Sequence, residues 1–171
     1  MKEIEVKILE INVRETISKL KKLGAKKTFD GELVAFIYDF PDKRLKSEGK
    51  LLRVRKINDQ AEFTFKSKLK KGKVKTNVEH QVNVDRFDSL HTILFSLGLK
   101  RKSYGNKHRV SFQLGKMHVD IDTCKGIPPY LEIEAPSSKE LEKYVRKMGF
   151  RMDQTNSWTM RDVYKHYGKK L

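Results

Sequence analysis

Hydrophobic and polar residues alternate along most of the chain with a period of two. The first ten residues, MKEIEVKILE, place Ile4, Val6 and Ile8 on one face and charged side chains on the other. This pattern is typical of a strand that buries one face. Further strands are predicted at 25–40, 50–57, 61–68, 75–84, 100–114, 117–124 and 129–135.

Three segments change to the helical pattern of apolar residues three and four positions apart. The first, NVRETISKLKKLG, has a capping pattern from Asn12 to Glu15 and ends at Gly24. DSLHTILFSLG and SSKELEKYVRKMG repeat this design and end at Gly98 and Gly149. A short last helix is predicted over TMRDVYKHYG.

Two connections are short enough to be hairpin turns, Asn58-Asp59-Gln60 and Leu114-Gly115-Lys116. Many antiparallel strands with helices outside them define an α+β fold, and there are enough strands to close a barrel. No linker or low-complexity segment interrupts the 171 residues, so we predict a single domain over residues 1–171.

The polar faces of the strands carry an unusual choice of residues. Like charges stand two positions apart, as in the arginines of LLRVRK and the glutamates of YLEIEA. Solvent-facing strands usually avoid such neighbours. The charged faces together contain Glu3, Glu5, Lys7, Arg53, Arg55, Lys66, Glu79, Lys107, Arg109, Asp122, Glu132 and Glu134.

Two arrangements explain these faces. One is a single open sheet with helices below it and solvent above it. The other is a closed sheet with helices and apolar faces outside and charged faces around a water-filled lumen. A lumen with so much charge is costly unless it binds something that satisfies both signs. Arginine and lysine favour phosphate, and clustered carboxylates favour Mg²⁺ or Mn²⁺, so a metal–polyphosphate complex would satisfy both.

Composition narrows the setting of this chemistry. Lys and Arg number 38 against 22 Asp and Glu, a net charge of +16 that attracts polyanions. No apolar run reaches the ~18 residues of a membrane span, and the N-terminus lacks the apolar region of a secretory signal. One cysteine, Cys124, fits a reducing compartment, so we expect a cytoplasmic protein. The five histidines show no metal-ligand spacing and are interpreted as surface or core residues.

The ordered charged motifs resemble those of the CYTH proteins, also called triphosphate tunnel metalloenzymes. The resemblance begins with E-x-E-x-K at Glu3, Glu5 and Lys7 and covers nearly the whole chain. It continues through Tyr38-Asp39, R-x-R (Arg53, Arg55), Lys66, Glu79, K-x-R (Lys107, Arg109), Asp122, E-x-E (Glu132, Glu134) and SWTMRDVY. The compact chain is most similar to the class IV adenylyl cyclase and thiamine triphosphatase branch. Gln81 departs from the family, which often has a second acid after Glu79.

This resemblance implies an eight-stranded antiparallel β-barrel, or tunnel, that binds a triphosphate and one or two divalent metals, Mg²⁺ or Mn²⁺. The implied metal ligands are Glu3, Glu5, Asp122, Glu132 and Glu134. The implied triphosphate ligands are Lys7, Arg53, Arg55, Lys66, Lys107 and Arg109. Lys66, Tyr38 and Glu79 are the predicted catalytic residues, and no general base is assigned.

Three functions remain open at this point. The first is metal-dependent hydrolysis of tripolyphosphate, a nucleoside triphosphate or thiamine triphosphate, with class IV adenylyl cyclase activity, from ATP to cyclic AMP and pyrophosphate, as its alternative. The second is a non-catalytic polyphosphate- or nucleotide-binding module. The third, nucleic-acid binding, is disfavoured because the aromatic residues fall mostly on apolar faces, although a 5′-triphosphate RNA end would fit the site. A small-molecule triphosphate is the expected partner, a membrane is not, and a homodimer is left open.

Overall fold

A computed structural model describes the backbone of residues 2–57, 60–70 and 75–170. It describes their side chains as well, except at 2, 3, 57, 68–70, 75–77, 103 and 104. The predicted turn at Asn58-Asp59-Gln60 and the side chain of Glu3 therefore lie outside the described residues. No described helix has the length and apolar character needed to cross a membrane.

In the part of the chain that the structure describes, eight antiparallel strands form the centre of the fold. They are β1 (Lys2–Ile8), β2 (Lys26–Asp39), β3 (Lys50–Ile57), β4 (Gln60–Lys70), β5 (Lys75–Val84), β6 (Lys100–Leu114), β7 (Met117–Thr123) and β8 (Tyr130–Ala135). They pair in the order β1-β5-β4-β3-β2-β6-β7-β8, and β1 pairs with both β5 and β8, which makes a closed barrel. The contact between β1 and β5 covers only residues 2–5 of β1, and beyond it Lys7 exchanges backbone hydrogen bonds with Asn156.

Within the described residues, five α-helices connect or follow the strands. They are α1 (Val13–Lys22), α2 (Arg44–Ser47), α3 (Phe87–Ser96), α4 (Ser138–Lys147) and α5 (Met160–His166), with a 3₁₀ helix at Met152–Gln154. Asn12 and Ser137 cap α1 and α4 by accepting hydrogen bonds from the amides of Glu15 and Glu140, as the sequence predicts. At α3 the prediction of a side-chain cap is wrong, because Arg86 occupies that position without a capping hydrogen bond.

Most of the outer face of the barrel is apolar and is covered by helices, although Val82 on β5 is 57% exposed. One cluster packs α1 and α4 against β1 and β6–β8, with Leu20, Leu141 and Ile133 among its buried members. A second cluster packs α3 against β2–β4, and its buried members include Leu94 of α3 and Val54 of β3. Because one face of each strand is used in this way, its other face must point to the inside of the barrel.

A third apolar cluster lies where β7 ends and β8 begins. Cys124, Ile127 and Tyr130 pack there against Val163 and Tyr164 of α5. The hydroxyl of Tyr164 also donates to the carbonyl of Lys125 at 3.1 Å. The C-terminal segment therefore packs against this end of the strands.

The predicted α+β class with an antiparallel sheet is confirmed. The strand predictions agree with the structure to within about three residues at each end. The turn at Leu114-Gly115-Lys116 is also confirmed, and Gly115 has a φ of 58°, a value that favours glycine. The helix α2 has only four residues, too few to produce a helical periodicity in the sequence.

Candidate active site

The charged side chains lie in register with one another on the inner face of the barrel. Residues directly opposite each other on antiparallel strands share a face of the sheet. The register pairs acids with bases at Lys7 and Glu132, Arg109 and Asp122, Lys66 and Glu79, and Arg55 and Glu62. Period-two alternation therefore brings together charged residues that are far apart in sequence.

Arg109 is at the centre of the first group of ion pairs, on β6 and β7. Its Nε and Nη2 donate to the two carboxylate oxygens of Asp122 at 2.6 and 2.7 Å. Lys107 Nζ is 2.5 Å from Asp122 Oδ2, and Arg109 also forms an ion pair with Asp120. Asp122 is fully buried, and Lys107 and Arg109 are the basic partners that compensate it there.

Lys7 joins β1 to this group. Its Nζ lies 2.6 Å from Glu132 Oε2 and 4.0 Å from Glu5 Oε1. Burial lowers the pKa of Lys7, but Glu132 and Glu5 outweigh burial and leave the pKa above its ordinary value. Burial likewise raises the pKa of Glu132, while Lys7, Arg109 and Lys107 hold it well below its usual range. Both partners of this pair are therefore charged at neutral pH.

The second group of ion pairs lies on β3, β4 and β5. Arg55 Nη1 donates to Glu62 Oε1 at 2.9 Å, and Lys66 forms an ion pair with Glu79. Arg53 reaches both acids, at 3.4 Å from Glu62 Oε1 and 3.6 Å from Glu79 Oε1. The buried Nε of Arg53 donates no hydrogen bond to any described residue. It is a guanidinium donor that an anion could use.

The basic residues of the two groups repel each other across β2. Burial and the charges of Arg109 and Arg55 lower the pKa of Lys107 to about 8, although Asp122 and Glu132 act in the opposite direction. Burial and Arg55 lower the pKa of Arg53 to about 10, and Arg109 adds to this effect. Such mutual repulsion is relieved by a multivalent anion between the cations.

Tyr38 is not part of this arrangement. It lies on the outer face of β2, fully buried in the second apolar cluster, and its hydroxyl is 2.6 Å from His91 Nδ1 on α3. The prediction that Tyr38 acts beside Lys66 is wrong, because the two residues are on opposite faces of the sheet. Lys66 and Glu79, in contrast, are brought together.

The acids proposed as metal ligands are close in register but are not a preformed site. Glu5 and Glu134 face each other on β1 and β8, where the Cβ atoms of paired residues are about 5 Å apart. Among the described side chains, no group of three or more Asp, Glu, His or Cys is arranged to hold a metal ion. Glu132 and Asp122 instead use their oxygens on lysine and arginine. Carboxylate oxygens are still the donors that Mg²⁺ and Mn²⁺ prefer.

Four further residues, Asp120, Glu62, Ser111 and His118, belong to these groups and are absent from the set of predicted site residues. Asp120 accepts hydrogen bonds from Ser111 Oγ at 2.6 Å and from His118 Nε2 at 2.9 Å, and it holds Arg109. That hydrogen bond raises the pKa of His118. His118 and Asp120 precede Asp122 by four and two positions in MHVDIDT. Period-two alternation in the sequence therefore already indicates that they point inward.

The CYTH domain family model matches residues 1–156, and the chain therefore belongs to the CYTH family. No curated protein sequence matches the chain.

Solved structures share its fold. A protein from Vibrio parahaemolyticus, provisionally assigned as an adenylate cyclase, superposes with a TM-score of 0.83 at 17% identity, covering 95% of this chain and 97% of that one. A protein from Pyrococcus horikoshii has a TM-score of 0.78 at 24% identity, with 94% and 98% covered. A protein from Hippeastrum, provisionally assigned as an adenylyl cyclase and described as having a dominant triphosphatase activity, has a TM-score of 0.67 at 13% identity, with 99% and 97% covered.

Proposed function

We propose that this protein is a divalent-metal-dependent enzyme that hydrolyses a triphosphate inside its barrel. The observation that carries the proposal is the set of buried or half-buried basic side chains on four strands, each paired with an acid. Lys7, Arg53, Arg55, Lys66, Lys107 and Arg109 form this set. Membership of a family that contains triphosphatases and adenylyl cyclases supports the same class of substrate.

Substrate binding would exchange partners within these ion pairs. Phosphate oxygens would take the place of carboxylates on lysine and arginine, and the released carboxylates would face a cation. The unused Nε donor of Arg53 is ready for one phosphate oxygen. Because each buried charge keeps an opposite charge beside it, the exchange avoids leaving an unpaired ion in the interior.

The acids that would hold Mg²⁺ or Mn²⁺ are Glu5, Glu132 and Glu134, with Asp122 beside them and Glu3 as the remaining candidate. When bound, such a cation neutralises charge on the phosphate oxygens and on the leaving group. The carboxylates of these residues suit a hard cation, and two of them, Glu5 and Glu134, are opposite each other in the strand register.

The reaction is an in-line attack of water on the terminal phosphorus. The new bond joins the water oxygen to that phosphorus, and the bond to the bridging oxygen breaks, releasing orthophosphate and the shortened phosphate chain. The arginine and lysine side chains orient the phosphates and stabilise the negative charge on the leaving oxygen. Lys66 and Glu79 are the proposed pair beside the attacking water.

A substrate panel tests this function. The purified protein is incubated with Mg²⁺ or Mn²⁺ and with tripolyphosphate, thiamine triphosphate, ATP or 5′-triphosphate RNA. We expect orthophosphate release that stops with EDTA. Cyclic AMP with pyrophosphate would instead identify a cyclase, in which the ribose 3′-hydroxyl attacks the α-phosphorus. Tight binding without turnover would identify a binding module, and neither result is compatible with the proposed hydrolase.

Glu134→Gln tests the location of the reaction. This change should lower turnover roughly a hundredfold, because an amide is a poor ligand for a hard cation. Glu142→Gln is the matched control, since Glu142 is exposed on α4 and pairs only with Arg146 among the described residues. Equal rates in the two variants would place the chemistry elsewhere.

A further inference from the structure

The inner face of β2 is apolar, although the strands on both sides of it present charges to the same interior. Phe29, Leu33, Ala35 and Ile37 are in register with inward residues of β6 or β3. On the opposite face of β2, Val34, Phe36 and Tyr38 belong to the apolar cluster under α3. Leu33 is only 5% exposed, yet neither it nor Phe29 belongs to any of the three apolar clusters. These side chains therefore form an apolar wall inside the barrel.

Basic side chains border this wall on both sides. Leu33 is opposite Lys107 on β6, and Ala35 is opposite Arg55 on β3. Arg53 and Arg109 continue the two basic rows, opposite Ile37 and Gly31. A phosphate chain held between the rows would lie over β2. Any organic group attached to that chain would then meet an apolar surface.

Phe29 supplies an aromatic ring at one end of the wall. A bulge between Lys27 and Phe29 shifts the register so that Phe29 lies opposite Ser111 and shares the inner face. Its ring lies over Gly31, where an added Cβ would be 3.4 Å from Phe29 Cζ. Because Gly31 has no side chain, the ring fits over it, next to the position of Arg109 on the neighbouring strand. The ring is half-buried and keeps part of its surface accessible.

We propose that Phe29, with Leu33 behind it, binds the aromatic heterocycle of a triphosphate ester whose phosphates are held by the adjoining arginines and lysines. The inference rests on the proposed function and narrows its substrate class, from any triphosphate to one that carries a ring. The ring of Phe29 lies over Gly31, which is opposite Arg109. A sugar or alkyl linker could therefore join a heterocycle stacked on this ring to a phosphate held by Arg109. Every heterocycle has a π-face that can stack on a phenyl ring.

The test compares a ring-bearing substrate with one that has no ring. The ratio of kcat/KM for ATP, or for thiamine triphosphate, to kcat/KM for tripolyphosphate is measured with Mn²⁺ in each variant. Phe29→Ala should lower the ratio for at least one of the two esters roughly tenfold, mainly through KM, because the stacking contact is lost. Phe29→Leu fills the same space without a ring and should lower it as well, which covers the case in which Phe29→Ala does not fold.

Two variants serve as controls in the same assay. Phe29→Tyr keeps the ring and should keep the ratio. Glu32→Gln changes an exposed residue on the opposite face of β2 and should also keep it. If the kcat/KM ratio falls more for one ester than for the other, the ester with the larger fall is the one whose heterocycle stacks on Phe29.

An unchanged ratio in both Phe29→Ala and Phe29→Leu would overturn the inference, and so would wild-type turnover confined to tripolyphosphate. In both cases the hydrolysis of tripolyphosphate would show that the proposed function itself still holds. Absence of turnover for all three substrates would overturn the function and this inference together.

Discussion

The pKa values of Lys7 and Lys107, two lysines inside the barrel, shift in opposite directions because their nearest neighbours differ. Lys7 lies among Glu132 and Glu5, which keep its pKa above the ordinary value against the effect of burial. Lys107 contacts Asp122, but burial and the nearby Arg109 dominate and lower its pKa to about 8. The charge of Lys107 is therefore sensitive to pH just above neutrality.

The pH dependence of kcat/KM should report this difference. Charged Lys107 would bind phosphate, and it loses its proton as pH rises through about 8, so kcat/KM for tripolyphosphate should fall above that pH. Lys107→Arg keeps its charge and should move the decline to higher pH by at least one unit. An identical alkaline limb in both proteins would contradict the assigned role of Lys107.

The free energy of unfolding should not show the same decline above pH 8 as kcat/KM. The folded pKa of Lys107 is about 8 and the ordinary value is 10.5. Between these values the unfolded chain binds more protons than the folded one, so this residue makes folding more favourable as pH rises. The free energy of unfolding, measured in parallel, should therefore not fall over this range because of Lys107.

Single residues also show how much of the site the sequence could predict. Arg53, Arg55, Lys107 and Arg109 are found on the inner face because they obey period two within regular strands. Tyr38 is adjacent to Ile37, which pairs with Arg53 and faces inward. The side chain of Tyr38 therefore faces outward, and its ring lies under α3. A family motif that includes Tyr38 does not state on which side of the sheet it lies, so only the register decides its position.

At the scale of elements, β2 departs most from the sequence-based interpretation. Its apolar residues occupy both faces, so TFDGELVAFIYD does not show which face is inside. The bulge after Lys27 changes the parity of Phe29 relative to the preceding residues. Neither the wall nor the position of Phe29 could be obtained from alternation alone.

Asp39 stabilises the loop that follows β2 by accepting hydrogen bonds from backbone amides. Its buried carboxylate accepts hydrogen bonds from the amides of Phe40, Leu45 and Lys46 at 2.8, 3.0 and 3.1 Å. Helix α2 has no side-chain cap of its own at Lys43. Asp39 therefore satisfies amides at the start of this short helix from four positions before it.

Asp39→Ala should lower the free energy of unfolding by about 2 kcal/mol, because it leaves these amides without their acceptor. Urea denaturation followed by circular dichroism measures the change. Glu48→Ala is the control, since Glu48 is exposed and its loss should change stability by less than about 0.5 kcal/mol. Equal effects of the two substitutions would contradict the capping role of Asp39.

For the whole molecule, the barrel reverses the usual distribution of polarity. Apolar clusters lie outside the sheet under the helices, and ion pairs of both signs lie inside it. The sequence predicts this inversion as one of two arrangements, and the eight-strand order together with the buried acids and bases favours it over an open sheet facing solvent. Inside the barrel the charged side chains contact one another in ion pairs. Alternation gives the face of a side chain but not its partner.

The proposed exchange of ion-pair partners would make metal binding and triphosphate binding mutually dependent. Phosphates that take lysine and arginine away from Asp122 and Glu132 also release carboxylate oxygens for a cation. Each ligand should thus favour the other by the same free energy.

Calorimetric titration with an imido-bridged tripolyphosphate, which resists hydrolysis, tests this dependence most directly when it is carried out in EDTA and in Mn²⁺. We expect binding in both, at least roughly tenfold tighter with Mn²⁺, and a loss of that difference in Glu134→Gln. Equal affinity of the wild-type protein in EDTA and in Mn²⁺ would contradict the exchange of partners.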